Sequence, residues 1–72
     1  MPFAEVKVIE GVFSDQQKQE IVTRVTDAIV SVEGEQLREK TVVLVEEIKS
    51  GDWGIGGNVL RAEDVRSLVT NV

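Results

Sequence analysis

Pro2 is the residue best placed to do chemistry, because it follows Met1 directly at the head of the segment MPFAEVKVIEG. If Met1 is removed, Pro2 becomes a secondary amine at the chain terminus, a base or nucleophile that no side chain can supply. The alternative is structural. Proline lacks the N–H that a sheet ladder needs and is tolerated at the first residue of a strand or on an edge. The position therefore indicates either a catalytic amine or an edge-strand proline.

Other kinds of reactive site find little support in the sequence. The chain has no cysteine and no histidine, and its acidic residues form no cluster typical of a metal site, so we expect neither a metal nor a cofactor. The segment KSGDWGIGGN is dense in glycine, but it lacks the lysine and the following amphipathic helix of a phosphate loop. It favours a tight hairpin that crosses onto a neighbouring chain.

Composition and charge narrow the partners. The chain carries a net charge of −5, and its eight basic residues are scattered, so nucleic-acid binding is not expected. No apolar run approaches the roughly 18 residues of a membrane span, and the N-terminus does not resemble a signal peptide. We therefore expect a cytoplasmic protein that acts on a small molecule, with no nucleic-acid or membrane partner.

The elements that must position Pro2 follow from hydrophobic periodicity. Residues 3–10 alternate, with Ala4, Val6 and Val8 on one face and Phe3, Glu5, Lys7 and Ile9 on the other, which predicts a strand. Ser14 and Gln17 have the spacing of a capping box, and Gly34 stands at the expected end of the helix that follows. The β-branched segment 41–48 predicts a second strand.

A strand, a helix and a second strand form a right-handed βαβ unit with parallel strands. The tail from residue 60 onward predicts a short helix that includes Leu60, Asp64, Val65 and Leu68. A chain of 72 residues is one domain, residues 1–72, with a core near the lower size limit for folding alone. Because one helix covers one face of the sheet, we expect other subunits to cover the second face, which carries residues such as Phe3 and Ile9 or the residues opposite them.

The ordered set of motifs resembles the 4-oxalocrotonate tautomerase family. The set comprises Pro2, a strand ending IEG, a helix opening SDQQK, a strand ending VEE and the segment GDWGIGG, and it covers about residues 2–59. The resemblance implies an α/β (α+β) fold of one βαβ unit with a C-terminal β-hairpin, and a hexamer built as a trimer of dimers. It also implies that Met1 is removed and that the Pro2 amine moves a proton on an enol or 2-oxo acid.

Elementary electrostatics is consistent with that role for Pro2. An exposed α-amino group has a pKa of about 7.7–8.0. An apolar pocket disfavours its cation and so lowers this pKa. The free base is then available at neutral pH.

The resemblance also suggests further site residues and shows where this chain departs from the family. Trp53 stands where the family has a pocket aromatic, although it could simply fill a subunit interface.

Val12 and Phe13, with one extra residue, stand where the family has one substrate-binding arginine, and Val42 stands where it has another. These residues favour a smaller, less anionic or more hydrophobic substrate. Among the cations that could substitute we rank Arg61 first, ahead of Arg38, Lys40 and Lys7. A solvated surface charge is nevertheless the favoured interpretation of Arg61.

Two alternatives to an isomerase stay open. The first is a hydratase, dehalogenase or decarboxylase reaction with protonated Pro2 as the acid. Ile55 counts against hydration, because related dehalogenases have a carboxylate in that region. The second is a family member without physiological catalysis. Glu47 matches a family glutamate for which we expect a structural role, and Glu5 with Lys7 could be no more than a charge pair across the sheet.

Overall fold

A computed structural model describes residues 1–69, with side chains through residue 68, and shows two small sheets and three helical segments. The order along the chain is β1 Phe3–Ile9, α1 Asp15–Glu33, a 3-10 helix Glu35–Lys40, β2 Val42–Ile48, β3 Trp53–Ile55, β4 Asn58–Leu60 and α2 Ala62–Val69. The predicted βαβ unit with a C-terminal hairpin is confirmed. The predicted strands each differ from the observed ones by a single terminal residue.

The parallel sheet fixes where Pro2 lies. β1 and β2 pair in parallel, with Phe3 opposite Val42 at one end and Ile9 opposite Ile48 at the other. Pro2 directly precedes the first paired residue, and its carbonyl accepts a hydrogen bond from the backbone N–H of Val42 at 3.1 Å. Pro2 therefore leads β1 into the sheet at the end where β2 also begins.

The connecting helix has the ends that the sequence predicts. The Ser14 hydroxyl accepts from the Gln17 backbone N–H at 3.1 Å, and the Gln17 side chain accepts from the Ser14 N–H at 2.9 Å. This reciprocal pair is the predicted capping box. At the other end, Gly34 has φ 104° and donates its N–H to Val30 over 2.8 Å. A positive φ at that position favours glycine and ends α1.

The two faces of the sheet differ in exposure. Val8 of β1 and Val30 of α1 are buried, which places the core between the helix and one face. On the opposite face Phe3 is 65% exposed and Leu44 is 45% exposed, so this face is open within a single chain. We call Phe3, Val42 and Leu44 the open face.

Ile9 does not share that exposure, so the expectation that it lies uncovered with Phe3 is wrong. Ile9 is buried, because α2 returns to this end of β1. The Arg66 guanidinium donates to the Gly11 carbonyl over 2.9 Å, and Ala62, the first residue of α2, is buried close to Gly11. The C-terminal helix thus closes the end of the sheet that lies opposite Pro2.

The glycine-rich segment forms the predicted hairpin. β3 and β4 pair antiparallel, and the turn consists of Gly56 and Gly57 with φ of 60° and 83°. Two successive positive φ values belong to a type I′ turn, whose twist matches that of the strands. The predicted tail helix is confirmed for Ala62–Val69, but its inclusion of Leu60 is wrong, because Leu60 ends β4 and pairs with Trp53. Residues 70–72 lie outside the described part. The hairpin's contact with a neighbouring chain stays a prediction.

Candidate active site

An open groove surrounds Pro2 at the start of β1. It has a volume of about 680 Å³ and is lined by Met1, Pro2, Ala28, Ile29, Val32, Glu33 and Leu37. Most of this lining is apolar and comes from the last turns of α1 and from the 3-10 helix. Pro2 itself is half-buried. The sequence thus places its ring against hydrocarbon, as a neutral amine requires.

Met1 decides whether that ring carries an amine. In the chain with Met1 in place, the Pro2 nitrogen is part of a peptide bond and has no basic lone pair. Met1 is 88% exposed, so it contributes little packing to the fold. Its removal would leave the ring nitrogen as a terminal amine at the groove.

Glu33 brings the one titratable side chain among the described residues that line this groove. It is the last residue of α1. The Thr41 hydroxyl oxygen lies within hydrogen-bond distance of one carboxylate oxygen of Glu33 and, at 2.8 Å, of the Leu37 carbonyl, so its single proton is shared between these two acceptors. The other oxygen, Oε1, is buried and has no hydrogen-bond partner in the described chain. Glu33 is therefore the charged residue on a groove whose other described lining residues are apolar.

Val12 and Phe13 lie far from Pro2 in the same chain. They follow β1, whose seven residues span about 20 Å, and so they stand at the end of the sheet opposite Pro2. Phe13 lines a separate groove of about 320 Å³ on α1, together with Gln17, Glu20, Ile21, Arg24 and Val25. A site that contains both Pro2 and Phe13 requires two chains.

Val42 and Trp53 also lie outside the lining of the Pro2 groove. Val42 contacts Pro2 through the backbone, while its side chain belongs to the open face and is 38% exposed. Trp53 begins β3, is half-buried and pairs with Leu60. The hairpin that carries Trp53 forms its own sheet, and Trp53 is not among the described residues that line the Pro2 groove.

The cations proposed to replace the family's arginines differ in whether they already bind a carboxylate of the same chain. Arg38 is held by Glu35 at 2.6 Å and by Asp27 at 2.8 Å, and these hydrogen bonds raise its pKa above the ordinary value. Lys7 is paired with Glu46 and Glu5, and the hydrogen bond with Glu46 is the main reason that its pKa is raised. Both side chains already bind carboxylates, which makes them poor substrate ligands.

Arg61 and Lys40 have no carboxylate partner among the described side chains. The guanidinium of Arg61 lies over Gly51, where a Cβ atom would approach its Nη1 to 2.8 Å. Gly51 thus leaves room for the guanidinium beside the hairpin. The first rank given to Arg61 stays a prediction.

Arg66 is a cation that the sequence did not single out. Its hydrogen bond to Gly11 places a guanidinium beside the loop of Val12 and Phe13. The 4-oxalocrotonate tautomerase family, which this chain resembles, has an arginine in the corresponding loop. A lone arginine on a short amphipathic helix gives no sequence signal for this position, because the contact joins residues 55 apart.

Comparisons with known proteins assign the chain to a family. A family model described as "Tautomerase enzyme" matches residues 2–63. The chain belongs to the tautomerase family. A probable tautomerase from Listeria innocua is 40% identical over 65 residues, which is 90% of this chain and 100% of the relative. The 2-hydroxymuconate tautomerase of Bacillus subtilis is 37% identical over 60 residues, which is 83% of this chain and 94% of the relative.

A solved structure supports the same assignment. The structure comes from a study of the 4-oxalocrotonate tautomerase isozymes of Methylibium petroleiphilum. It aligns with a TM-score of 0.71 and 31% identity over 89% of this chain and 97% of that chain. The chain is therefore an enzyme of the isomerase class with tautomerase activity, as its resemblance to the 4-oxalocrotonate tautomerase family implied.

The described part of this tautomerase contains neither a cluster of metal-binding side chains nor a helix able to span a membrane. Within residues 1–69, no three side chains of the metal-binding kinds come together in a way that could hold an ion. Over the same range, each helix is too short or too polar to cross a lipid bilayer.

Proposed function

We propose that the chain catalyses proton transfer on an enol or 2-oxo acid, with the mature Pro2 amine as general base and then general acid. The observation that carries this proposal is the position of Pro2 on a groove whose lining is otherwise mostly apolar. Family membership adds the tautomerase class of reaction, and the geometry supports Pro2 as its reactive group.

The reaction needs one group that takes and returns a proton. The ring nitrogen lone pair bonds to the proton of an enol hydroxyl, and the O–H electrons form the carbonyl as the double bond shifts. The ammonium so formed returns a proton to carbon, and the lone pair is restored. Val32 is 90% exposed in the single chain, so the proposal includes a neighbouring subunit that covers the groove. The hydrocarbon of a covered groove disfavours the ammonium and favours the free base near neutral pH.

The substrate class follows from the polar groups available to bind it. Val12, Phe13 and Val42 offer hydrocarbon at positions where a dicarboxylate would need cations. Arg61 beside the hairpin, and Arg66 at Gly11, are the guanidinium groups left for one carboxylate. An enol with a single carboxylate and an apolar or aromatic substituent therefore fits better than a dicarboxylate.

A complete site on this proposal includes a second chain. Pro2 lies about the length of a strand away from Phe13, and Trp53 belongs to a separate hairpin, so a neighbour must supply these groups. The open face offers exposed apolar side chains for such a neighbour, beside the paired charges of Glu5, Lys7 and Glu46 on the same side of the sheet. Assembly as a homo-oligomer, with a hexamer of three dimers as the family resemblance implies, is part of the proposal.

The test compares three proteins in the ketonisation of phenylenolpyruvate and of 2-hydroxymuconate, followed by absorbance. The first is the mature protein with its free Pro2 amine, verified by intact mass. The second is Pro2→Ala. The third carries an N-terminal extension that keeps Met1, so the ring stays but the amine is lost. We expect the second and third proteins to lose about 10²–10⁴-fold in kcat/KM, the usual contribution of a general base.

The outcomes separate the candidate functions. Wild-type rates in the extended protein would refute a catalytic Pro2 amine. Turnover of a haloacrylate by a mature protein that is inactive on both enols would instead favour the addition reaction. We expect phenylenolpyruvate to have the higher kcat/KM, because it carries one carboxylate and an aromatic ring.

A further inference from the structure

The buried oxygen of Glu33 lacks an explanation within the single chain. Glu33 Oε1 is inaccessible to solvent and has no hydrogen-bond partner among the described residues. Buried polar atoms in folded proteins are nearly always paired, and an unpaired one costs about 1–3 kcal/mol. A carboxylate oxygen kept in this state indicates a donor that the chain lacks while Met1 is in place.

Glu33 lies in the same part of the molecule as Pro2. Glu33 and Pro2 line the same groove. The second carboxylate oxygen is fixed by the Thr41 hydroxyl, and the next residue, Val42, donates its backbone N–H to Pro2. The hydrogen bond with Thr41 therefore holds the Glu33 carboxylate near the start of β1, while Oε1 has no hydrogen-bond partner.

The C-terminus of α1 adds negative charge beside the Glu33 carboxylate. Glu33 is the last residue of α1, and the last turn of this helix contains no basic residue. A helix C-terminus carries a partial negative charge of about half an electron, which attracts cations. The carboxylate and the helix end together form a negative site in an otherwise apolar groove.

We propose that Glu33 is a positioning residue for Pro2, whose Oε1 accepts a hydrogen bond from the ring N–H when the mature amine carries the transferred proton. This inference rests on the proposed function of Pro2. The proton stays on nitrogen in this contact, while the bond orients the ring and stabilises its cation. Because Glu33 stabilises the cation, it opposes the apolar lining and raises the pKa of the amine.

Other charges near the groove contribute less. From the 3-10 helix, Arg38 is bound to Glu35 and Asp27, while Glu39 and Lys40 are exposed. From β2, Thr41 and Val42 bring no charge. Among the described residues, Glu33 is therefore the charged group expected to dominate the titration of Pro2.

The experiment measures the titration of the Pro2 ring nitrogen directly. Mature ¹⁵N-labelled protein is titrated, and the ¹⁵N shift of Pro2 is followed in the wild type, in Glu33→Gln and in Glu39→Gln. Glu39→Gln is the matched control, because it removes the same charge from an exposed side chain in the adjacent 3-10 helix. We expect the midpoint to fall by about 1 pH unit in Glu33→Gln and to stay unchanged in the control. The acidic limb of the kcat/KM profile should move with the NMR midpoint.

The opposite results are equally plain. An unchanged midpoint in folded Glu33→Gln would overturn the inference, even if the melting temperature falls through loss of the contact with Thr41. Should Glu33→Gln not fold, Glu33→Ala removes the charge at the helix end without adding bulk, and the same fall is expected. The NMR titration does not require turnover. An inactive wild type would therefore refute the proposed function alone, and an unmoved midpoint would refute the role of Glu33 alone.

Discussion

The open face leads to a prediction about assembly. Substituting Leu44→Glu places a carboxylate at the centre of this face, directly opposite Glu5 in the strand register. If a neighbouring subunit covers the face, the substitution removes apolar contact and buries a charge beside a like charge. The oligomer should then dissociate.

The exposure of Leu44 sets the size of the effect. Complete burial of a leucine side chain contributes about 1.5–3 kcal/mol. Since 45% of Leu44 is still exposed in the single chain, covering it contributes about 1 kcal/mol per subunit. A buried, unpaired carboxylate adds several kcal/mol. We therefore expect a loss of at least about 3 kcal/mol per subunit, which weakens each contact about 100-fold.

Sedimentation velocity at micromolar concentration provides the assay. We expect an oligomeric wild type, a mainly monomeric Leu44→Glu protein with greatly reduced tautomerase activity, and a Thr23→Glu control that sediments like the wild type. Thr23 is an exposed residue of α1, so this control adds the same charge away from the sheet. A monomeric wild type, or Leu44→Glu with unchanged sedimentation, would refute the reasoning.

Three further predictions concern the helix start, a surface ion pair and the tryptophan. Ser14→Ala removes the side-chain half of the capping box and should lower the free energy of unfolding by about 1 kcal/mol, seen as a lower urea midpoint with unchanged slope. The Arg38 guanidinium lowers the pKa of Glu35, so this pair stabilises the fold above the ordinary Glu pKa of about 4.3 and less as pH falls through the lowered value. NMR titration should find the Glu35 pKa higher in Arg38→Gln, and an unchanged value would exclude the interaction. Trp53 is the only tryptophan, so a saturating substrate analogue should change the protein fluorescence, whereas constant emission would place Trp53 outside the site.

Local sequence signals were sufficient for most of the fold. The capping box at Ser14 and the glycine at position 34 act over a few residues, and both are visible without tertiary structure. The period of the first strand separates its two faces for the same reason. Ile9 is the exception. Its burial depends on the return of α2 to Gly11, a contact between distant parts of the chain.

The site was less predictable than the fold. Pro2 is marked by its place behind Met1, and its surroundings follow from the helix that packs beside it. Glu33 gave no signal, because a glutamate at the end of an amphipathic helix usually faces solvent. Its burial depends on the bond from Thr41, which the 3-10 helix at 35–40 brings into position.

Selective acetylation of the Pro2 nitrogen tests the central claim most directly. A limiting amount of an acetyl N-hydroxysuccinimide ester near pH 7 reacts with free amines, while lysines, with a pKa near about 10.4, are protonated. Acetylation converts the ring nitrogen to an amide without a basic lone pair. Peptide mass spectrometry then gives the acetylated fraction of Pro2, and the remaining activity is measured in the same samples. We predict that activity falls in proportion to that fraction, and full activity with Pro2 completely acetylated would contradict the account.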